Sequence, residues 1–436
     1  EIRLSLVGSE MCIRDSNIWG WPGYAVREIW ADLKRARLGA VARRSWQLFG
    51  EPAVAETYTP RAGDVFRSID VEAARIGWRN IWRYGRVRAI RKTDDGRFVV
   101  AYSQSGSGHS SGQDHHLIVA AFVQIATGYP SIQFLPDLQE YRQQTQDFRS
   151  IVNAYEEHEH VYAHLQRHGG VVLLRGRGIV ASRIIQRIHE LRVHNPQIGI
   201  LHLMRTPNPQ GNRSGRAQRK VADHFELQPF NWPKACWGGD LRATLEAAPQ
   251  AQRDQLLNDW GGTTTAARAD WRRIVAAGLR EGWYQIEFGE VEKVERDTQR
   301  NKVITYIRGR GLVQNRIELP ADYIIDATGL DAKVKSNPLL AELVDQYQLE
   351  LNGKGRLLVA NDFEIPGMRN GAGRVYAAGA ITLGGPYAPV DSFLGLQYAA
   401  QQSVDALCAL RAAGLRRLNG VRSLAQWLRW ARGIQP

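Results

Sequence analysis

The sequence contains very few cysteines. Its 436 residues include three, at positions 12, 236 and 408, and no two of them form a CxxC pair. This excludes a disulfide framework, and it excludes the close dithiol through which disulfide reductases pass electrons. Cysteine usage of this kind is typical of a protein in a reducing, cytoplasmic compartment.

Long apolar runs are also lacking. The longest, residues 117–125 around one glutamine, is far shorter than the about 20 residues that a membrane-spanning helix needs. At 44% hydrophobic and 23% charged residues, the composition is that of a soluble globular chain with two or three domains. The net charge of +13 is spread along the chain, so it fits phosphate-bearing cofactors as well as nucleic acid. The motifs below favour cofactors, and we expect no nucleic-acid partner.

The opening stretch SLVGSEMCIRDS, residues 5–16, has no apolar core. Glu10, Arg14 and Asp15 interrupt it, so it lacks the apolar region of a signal peptide. It has no helical or alternating apolar period either. It resembles the translation of the mosaic-end adapter used in transposase-based sequencing libraries. We therefore expect residues 1–16 to be an adapter artefact rather than part of the fold.

The segment GGVVLLRGRGIVASRIIQRIHELR, residues 169–192, has the pattern of a strand, a glycine-rich turn and a helix. The turn contains Gly176, Gly178, Ala181 and Ser182, and isoleucines at helical spacing follow. In such a turn the first glycine permits the tight bend and the second lets the backbone approach a pyrophosphate. The small third residue lets helix and strand pack closely. With a second apolar strand, IGILHLMR, downstream, the pattern favours a dinucleotide-binding βαβ unit over a turn that binds nothing.

The residue that ends this second strand is basic. An acidic residue there would bind the ribose 2′-hydroxyl of NAD. The chain instead has Arg205, followed by a loop that contains Arg213, Arg216, Arg219 and Lys220. Guanidinium groups at this place suit the 2′-phosphate of NADP. For the loop residues, a solvated basic surface is the alternative.

A second pattern occurs twice. Apparent hairpins at residues 87–102 and 286–307 each lead to an apolar strand that ends in Ala-Thr-Gly, at Gly128 and Gly329. Small residues at the carboxyl end of a strand allow the chain to pass close to a cofactor. The repetition indicates two related nucleotide-binding halves.

In this layout the sequence resembles the class B flavin monooxygenases, which are two-dinucleotide-binding flavoproteins. The segment WGWPG, with Trp21 and Pro22, is similar to the Trp-rich, Pro-Gly segment that follows the first FAD strands in that family. GRVYAAGAITLGG resembles the late FAD strand, although Gly379-Ala380 stands where many relatives have Gly-Asp. PVDSFLGLQYAAQQSVDAL, with Asp391, resembles the helix whose N-terminus faces the flavin.

The resemblance implies an α/β fold in which an FAD-binding domain is interrupted by an NADPH-binding domain. No strand–GxGxxG–helix unit occurs in residues 17–128, so we expect the first FAD βαβ unit to be missing and the native protein to extend upstream. The predicted divisions are FAD-binding domain, first part, 17–150; NAD(P)-binding domain, 151–318, with a helical insertion at about 225–280; FAD-binding domain, second part, 319–415; and C-terminal helix, 416–436.

The resemblance also implies an activity. The family uses FAD and NADPH to insert one atom of molecular oxygen into a small-molecule substrate through a flavin hydroperoxide. The cofactors do the difficult chemistry, so no catalytic residue can be identified from the sequence. Two alternatives remain open. The chain could be an NAD(P)H-dependent flavin dehydrogenase without oxygen insertion, or a non-catalytic flavin-binding protein.

Three other patterns favour no function of their own. GHSSG, residues 108–112, matches a hydrolase motif but lies in a Ser/Gly loop without the following helix that a nucleophile elbow needs. His160, His164 and His168 share one face of a predicted helix, and we favour a solvated face over a metal site. The tail, residues 417–436, predicts a basic helix that packs on the FAD-binding domain, with membrane-surface contact as the alternative.

Overall fold

The computed structural model describes residues 29–45, 62–105, 113–129, 131–211, 219–228, 239–260, 264–267, 269–309, 316–331, 333–415, 420–432 and 434. The stretch that resembles a sequencing adapter, and the motif at residues 108–112, lie outside these residues.

Strands and helices alternate along most of the described chain. The strands are β1 (Arg86–Lys92), β2 (Phe98–Ser105), β3 (Gln113–Ala120), β4 (Phe122–Ile125), β5 (Ser131–Ile132), β6 (Ile151–Asn153), β7 (Gly170–Arg175), β8 (Ile198–Met204), β9 (Lys220–Ala222), β10 (Phe225–Gln228), β11 (Thr265–Ala266), β12 (Tyr284–Asp297), β13 (Lys302–Gly309), β14 (Arg316–Ala321), β15 (Tyr323–Asp326), β16 (Leu330–Asp331) and β17 (Arg374–Ala377). The helices are α1 (Leu38–Ser45), α2 (Ala62–Arg75), α3 (Trp78–Ile81), α4 (Pro136–Thr145), α5 (Glu159–His168), α6 (Ile179–Arg192), α7 (Gly239–Ala247), α8 (Gln250–Trp260), α9 (Ala269–Glu281), α10 (Pro338–Tyr347), α11 (Phe393–Ala409) and α12 (Gly420–Ala431).

A seven-stranded sheet forms what we call the central unit, which comprises strands β6–β8 and β12–β15 with helices α4, α5, α6 and α9. The strand order is β14-β13-β12-β8-β7-β15-β6. All neighbours from β12 to β6 are parallel, and β13 and β14 extend the sheet as an antiparallel meander. If β7, β8, β12 and β15 are numbered 1 to 4 along the chain, they lie in the sheet in the order 3-2-1-4. This is the strand order of a doubly wound nucleotide-binding sheet. The strand order reverses between β7 and β15.

The sequence of β7 and α6 accounts for this arrangement. Val172, Leu173 and Leu174 are fully buried in β7, as expected for a parallel strand covered on both faces. In α6, Ile184, Ile185 and Ile188 recur at helical spacing and are also fully buried. The predicted succession of strand, glycine turn, helix and strand is thereby confirmed.

A second unit, the flanking unit, contains β1–β4, β17, α10 and α11. Strands β1, β2 and β3 form an antiparallel meander, so the predicted first hairpin is confirmed and gains a third strand. Strand β4 pairs in parallel with β17. The apolar run at residues 117–125 therefore belongs to two strands, β3 and β4, rather than one. Ile90, Leu340 and Val375 lie in the shared core of this unit.

The two units are joined by two crossings of the chain. Their strands, β5 and β16, pair with each other in antiparallel fashion. Strand β15 lies between β7 and β6, and α4 packs Leu138 and Tyr141 into the core beneath the central sheet. The central unit as defined here includes α4, before residue 151, and β15, after residue 318, while the predicted domain divisions stay predictions.

The insertion at residues 225–280 is mainly helical where it is described, with α7, α8 and α9. The tail forms the predicted helix, α12. Its Leu424 and Leu428 are 58% and 42% exposed, and the packing of this helix on the FAD-binding domain stays a prediction. Across the described part of the chain, no helix combines the length and apolarity needed to cross a membrane.

Candidate functional site

The carboxyl ends of β7 and β15 meet at Gly176. Its φ of 111° is a conformation that only glycine adopts without strain. A β-carbon at this position would lie 2.3 Å from the carbonyl oxygen of Ala327. The amide of Ala327 in turn donates to the carbonyl of Arg175 over 2.7 Å. The first glycine of the turn and the second Ala-Thr-Gly segment are therefore in direct contact, at the point where the strand order reverses.

Helix α6 begins directly after this turn. Its N-cap residue is Gly178, which has an extended backbone and no side chain that could cap the helix. A β-carbon at Gly178 would meet no atom within 4 Å, so there is open space beside the first turn of the helix. Unpaired amides and the positive end of the helix dipole face that space. This arrangement suits a pyrophosphate.

The third and fourth predicted residues of the turn lie inside the fold. Ala181 and Ser182 are both fully buried. The Ser182 hydroxyl donates to the carbonyl of Ile179 over 2.6 Å, and its own carbonyl accepts a hydrogen bond from the Trp271 indole over 3.0 Å. Ala181 packs in the core of the central unit. The Ser182 side chain is engaged within the helix.

Two arginines flank the end of β8. Arg205 is exposed and comes directly after the strand. Arg177, the residue between the two glycines, donates through Nη1 to the carbonyl of Thr206 over 2.9 Å. Its guanidinium therefore lies beside the same strand end. Nothing in the sequence singles out Arg177, although its place in the turn is evident.

The other basic residues of the predicted loop differ in their surroundings. Arg219 is buried, and its guanidinium pairs with Glu226 at 2.8 Å, which is a structural use. Lys220 is exposed. Arg213 and Arg216 lie outside the described residues.

A histidine lies beneath the Gly176 turn, and sequence reasoning missed it. His202, in β8, is fully buried, with Nε2 2.5 Å from the carbonyl oxygen of Gly176 and Nδ1 2.8 Å from the hydroxyl of Tyr284. Burial lowers the pKa of His202 to about 4. A histidine in the otherwise apolar run of β8 was the signal for it in the sequence.

Asp326 connects the two crossings. It is fully buried at the end of β15. One carboxylate oxygen accepts from the amide of Leu135 over 2.9 Å, and the other accepts from the amide and hydroxyl of Thr328 over 3.0 and 2.6 Å. Gly329 follows with a φ of 130°, and a β-carbon there would meet no atom within 4 Å.

A second group of predicted residues lies in the flanking unit. Gly128 follows β4, and Gly379 with Ala380 follows the parallel neighbour β17. The amide of Ala378 donates to the carbonyl of Ile125 over 2.9 Å, so the two strand ends are adjacent. Gly128 and Gly379 have φ values of 70° and 80°. Ala380 is buried.

The start of α11 adjoins this second group. The hydroxyl of Tyr129, which follows Gly128, donates to the Asp391 carboxylate. Ser392 is the N-cap of α11, and its hydroxyl accepts from the amide of Gly395 over 3.1 Å. A β-carbon at Gly395 would lie 2.1 Å from a backbone carbonyl oxygen, so this glycine, missed by sequence reasoning, permits a close approach of the chain. The predicted contacts Trp21 and Pro22 lie outside the described residues.

A polar cavity of about 490 Å³ lies between the helical insertion and α11. Glu246 accepts a hydrogen bond from the Tyr398 hydroxyl and lies 3.6 Å from the guanidinium of Arg242. The lining residues are Arg242, Glu246, Asn361, Tyr398, Gln401 and Gln402.

The histidine face of α5 does not form a metal site. The rings of His164 and His168 pack against each other at 4.8 Å, and His160 Nε2 lies 3.0 Å from the carbonyl oxygen of Arg149. Within the residues that the structure describes, no group of three or more His, Cys, Asp or Glu side chains could hold a metal ion.

No family model matches the sequence, and no curated protein matches it. Solved structures do. Ornithine hydroxylase from Pseudomonas aeruginosa is 13% identical with a TM-score of 0.58, over 85% of this chain and 80% of that one. Ornithine N-hydroxylase from Kutzneria sp. 744, described with reduced FAD, NADP⁺ and L-ornithine, is 13% identical with a TM-score of 0.59, over 87% and 83%.

A third solved structure also has a similar fold. The FAD-bound cadaverine monooxygenase from Erwinia amylovora is 14% identical with a TM-score of 0.53, over 77% of this chain and 71% of that one. The chain has the two-domain α/β fold of these flavoprotein monooxygenases. The predicted fold class is confirmed.

Proposed function

We propose that this chain is an FAD- and NADPH-dependent oxidoreductase that inserts one atom of molecular oxygen into a small-molecule substrate. The observation that carries the proposal is the contact between Gly176 and Ala327 at the reversal of strand order, beside the uncapped start of α6. Dinucleotides bind at this point of a doubly wound sheet, outside the carboxyl ends of its strands.

The residues around this point fit NADPH. The amides at the start of α6 would hold the pyrophosphate in the open space beside Gly178. Arg205 and Arg177, at the end of β8, would pair with the 2′-phosphate. Because Gly176 packs closely on Ala327, the turn leaves room for the dinucleotide to pass over the ends of the strands.

The strand ends of the flanking unit fit part of an FAD site. Gly128, Gly379 and Ala380 present backbone without bulky side chains, and the N-terminus of α11 lies beside them. These residues would hold FAD, which would supply the electron transfer from NADPH to oxygen. The protein's part would be to orient the nicotinamide, exclude water and select the substrate. With few cysteines and phosphate-bearing cofactors, we place this activity in the cytoplasm.

The substrate that we propose is a small amine. The neighbouring structures are hydroxylases of ornithine and cadaverine. The polar cavity beside α11 offers the Glu246 carboxylate, which suits an ammonium group. We expect Glu246→Gln to raise the KM for the amine about tenfold and to leave NADPH affinity unchanged, since this residue lies in the insertion and not at the Gly176 turn. Steady-state kinetics with varied amine and varied NADPH check this.

The function is tested with the purified chain in the presence of added FAD. We expect NADP⁺ to bind more tightly than NAD⁺ in a calorimetric titration, NADPH to bleach the visible absorbance of FAD without oxygen, and amines to stimulate oxygen uptake with a hydroxylamine as product. Failure to bind NADP⁺ would overturn the proposal.

The same experiment separates the two alternatives. A flavin dehydrogenase would bleach FAD and consume oxygen, but peroxide would be its sole oxygen product. A non-catalytic flavin-binding protein would bind FAD that NADPH fails to bleach.

A further inference from the structure

The carbonyl group of Gly176 is held by a buried side chain from the neighbouring strand. His202 Nε2 lies 2.5 Å from it, and His202 Nδ1 lies 2.8 Å from the Tyr284 hydroxyl. We propose that His202 and Tyr284 are positioning residues, which fix the Gly176 turn in the conformation that binds the dinucleotide pyrophosphate. This inference rests on the proposed NADPH-binding function.

The direction of the two hydrogen bonds follows from their partners. A carbonyl oxygen can only accept, so His202 Nε2 carries the proton and donates to Gly176. In the neutral ring, Nδ1 is then the acceptor, and the Tyr284 hydroxyl donates to it. Burial keeps His202 neutral near pH 7, since it lowers the pKa to about 4. One tautomer therefore satisfies both bonds, and Tyr284 selects that tautomer.

The geometry of the peptide group links this support to the cofactor. In a trans peptide the C=O of Gly176 and the N–H of Arg177 point in opposite directions. Because the carbonyl points into the core toward His202, the amide of Arg177 points out toward the open space at the start of α6. Rotation of this peptide would turn the amide away from a bound phosphate.

The other side of the turn is already fixed. The amide of Ala327 donates to the carbonyl of Arg175, and the Ala327 carbonyl oxygen lies only 2.3 Å from the place of a β-carbon at Gly176. The turn is thus held by β15 on one side and by His202 of β8 on the other. Removing His202 leaves the carbonyl as the part of the turn that can rotate.

The same unit contains a matched control. His158 is also buried, with Nδ1 2.6 Å from the Glu156 carbonyl oxygen and Nε2 3.1 Å from the Tyr162 hydroxyl. This second histidine has the same two kinds of partner, but it supports the start of α5 rather than the Gly176 turn. A general loss of stability should affect both positions, whereas a loss of nucleotide binding should affect only His202.

The experiment compares His202→Phe, His202→Gln and His158→Phe in the full chain. For His202→Phe we expect a rise of about fivefold or more in the Kd for NADP⁺ and in the KM for NADPH, with kcat unchanged at saturating NADPH. Backbone amide exchange around Gly176 should become faster. His202→Gln, whose amide can donate to the carbonyl, should restore most of the affinity. His158→Phe should lower the melting temperature without changing the Kd.

Three results would overturn the inference. They are unchanged amide exchange around Gly176 in His202→Phe, an equal rise in Kd in His158→Phe, and failure of His202→Gln to restore affinity while it folds. Amide exchange does not require nucleotide. If the unsubstituted chain binds no NADP⁺ but the turn loosens in His202→Phe, the proposed function fails while the structural support stands.

Discussion

The two Ala-Thr-Gly segments of this chain end corresponding strands, but their surroundings differ. In the central unit Ala327 is 5% exposed and its carbonyl oxygen touches Gly176. In the flanking unit residues 126–128 are all exposed, and a β-carbon at Gly128 would meet no described atom within 4 Å. The two segments therefore differ at their alanine, which is packed under a glycine turn in the central unit and exposed in the flanking unit, whereas both glycines have free space beside them.

The preceding residue also distinguishes the two segments. Asp326 is fully buried and accepts hydrogen bonds from both crossings, whereas Ile125 at the equivalent place contributes to an apolar core. The comparison shows that small residues at a strand end permit a close approach but do not produce one. A partner turn and a hydrogen-bonded anchor determine whether the segment becomes part of a rigid site.

The largest effect should come from Gly176→Ala. The new β-carbon would meet the Ala327 carbonyl oxygen at 2.3 Å, and alanine would be strained at a φ of 111°. Together these should cost about 4 kcal/mol of unfolding free energy and abolish NADP⁺ binding. Gly128→Ala has a φ of 70° and free space, so it should cost about 1 kcal/mol. Denaturant unfolding of both variants checks this, and equal losses would contradict the comparison.

The sequence predicted those parts of the site that depend on local spacing. The strand, the glycine turn and α6 follow from apolar period and glycine positions, and both hairpins follow from their turns. The contact of Gly176 with Ala327 could not be predicted, because about 150 residues separate them and their contact depends on strand order. His202 and Asp326 were missed for the same reason, since their partners belong to other strands and crossings.

The second-largest effect should come from Asp326, which anchors the Ala-Thr-Gly segment of the central unit. Asp326→Ala would leave the amides of Leu135 and Thr328 without their acceptor. Loss of these part-buried hydrogen bonds, together with the cavity left by the buried carboxylate, should lower the free energy of unfolding by about 3 kcal/mol, which denaturant titration measures. Asp331→Ala is the control at the paired crossing, where the carboxylate is less buried and accepts from Ser336. A loss there equal to that at Asp326 would show that the anchor has no special role.

Acid should destabilise the central unit before the flanking unit. The pKa of His202 is about 4 when folded, below its value near 6.5 when unfolded, so the unfolded chain binds the proton first as pH falls. The contribution is fully present above about pH 6.5 and is lost toward pH 4, with about 2 kcal/mol lost between pH 7 and 5. Among described histidines of the flanking unit, His115 and His116 are exposed.

Amide exchange at pH 7 and 5 locates this effect. After correction for the slower intrinsic exchange at pH 5, the protection factors of amides in β7 and β8 should fall more than those in β1 and β2, and His202→Gln should reduce the difference. An equal fall in both units would contradict the assignment. His158, whose pKa is also lowered by burial, should leave a smaller residual dependence in the same direction.

The smallest of these effects concerns the choice of nucleotide. Arg205 is exposed at the end of β8, at the carboxyl edge of the central sheet. Loss of a guanidinium–phosphate pair costs about 1.5–3 kcal/mol, so Arg205→Ala should raise the Kd for NADP⁺ about tenfold or more and leave the Kd for NAD⁺ nearly unchanged. Arg167→Ala is the matched control, because Arg167 is also exposed, in the last turn of α5 at the opposite edge of the sheet. Equal weakening of both nucleotides by Arg205→Ala would remove Arg205 from the 2′-phosphate site and leave Arg177 as the residue to test there.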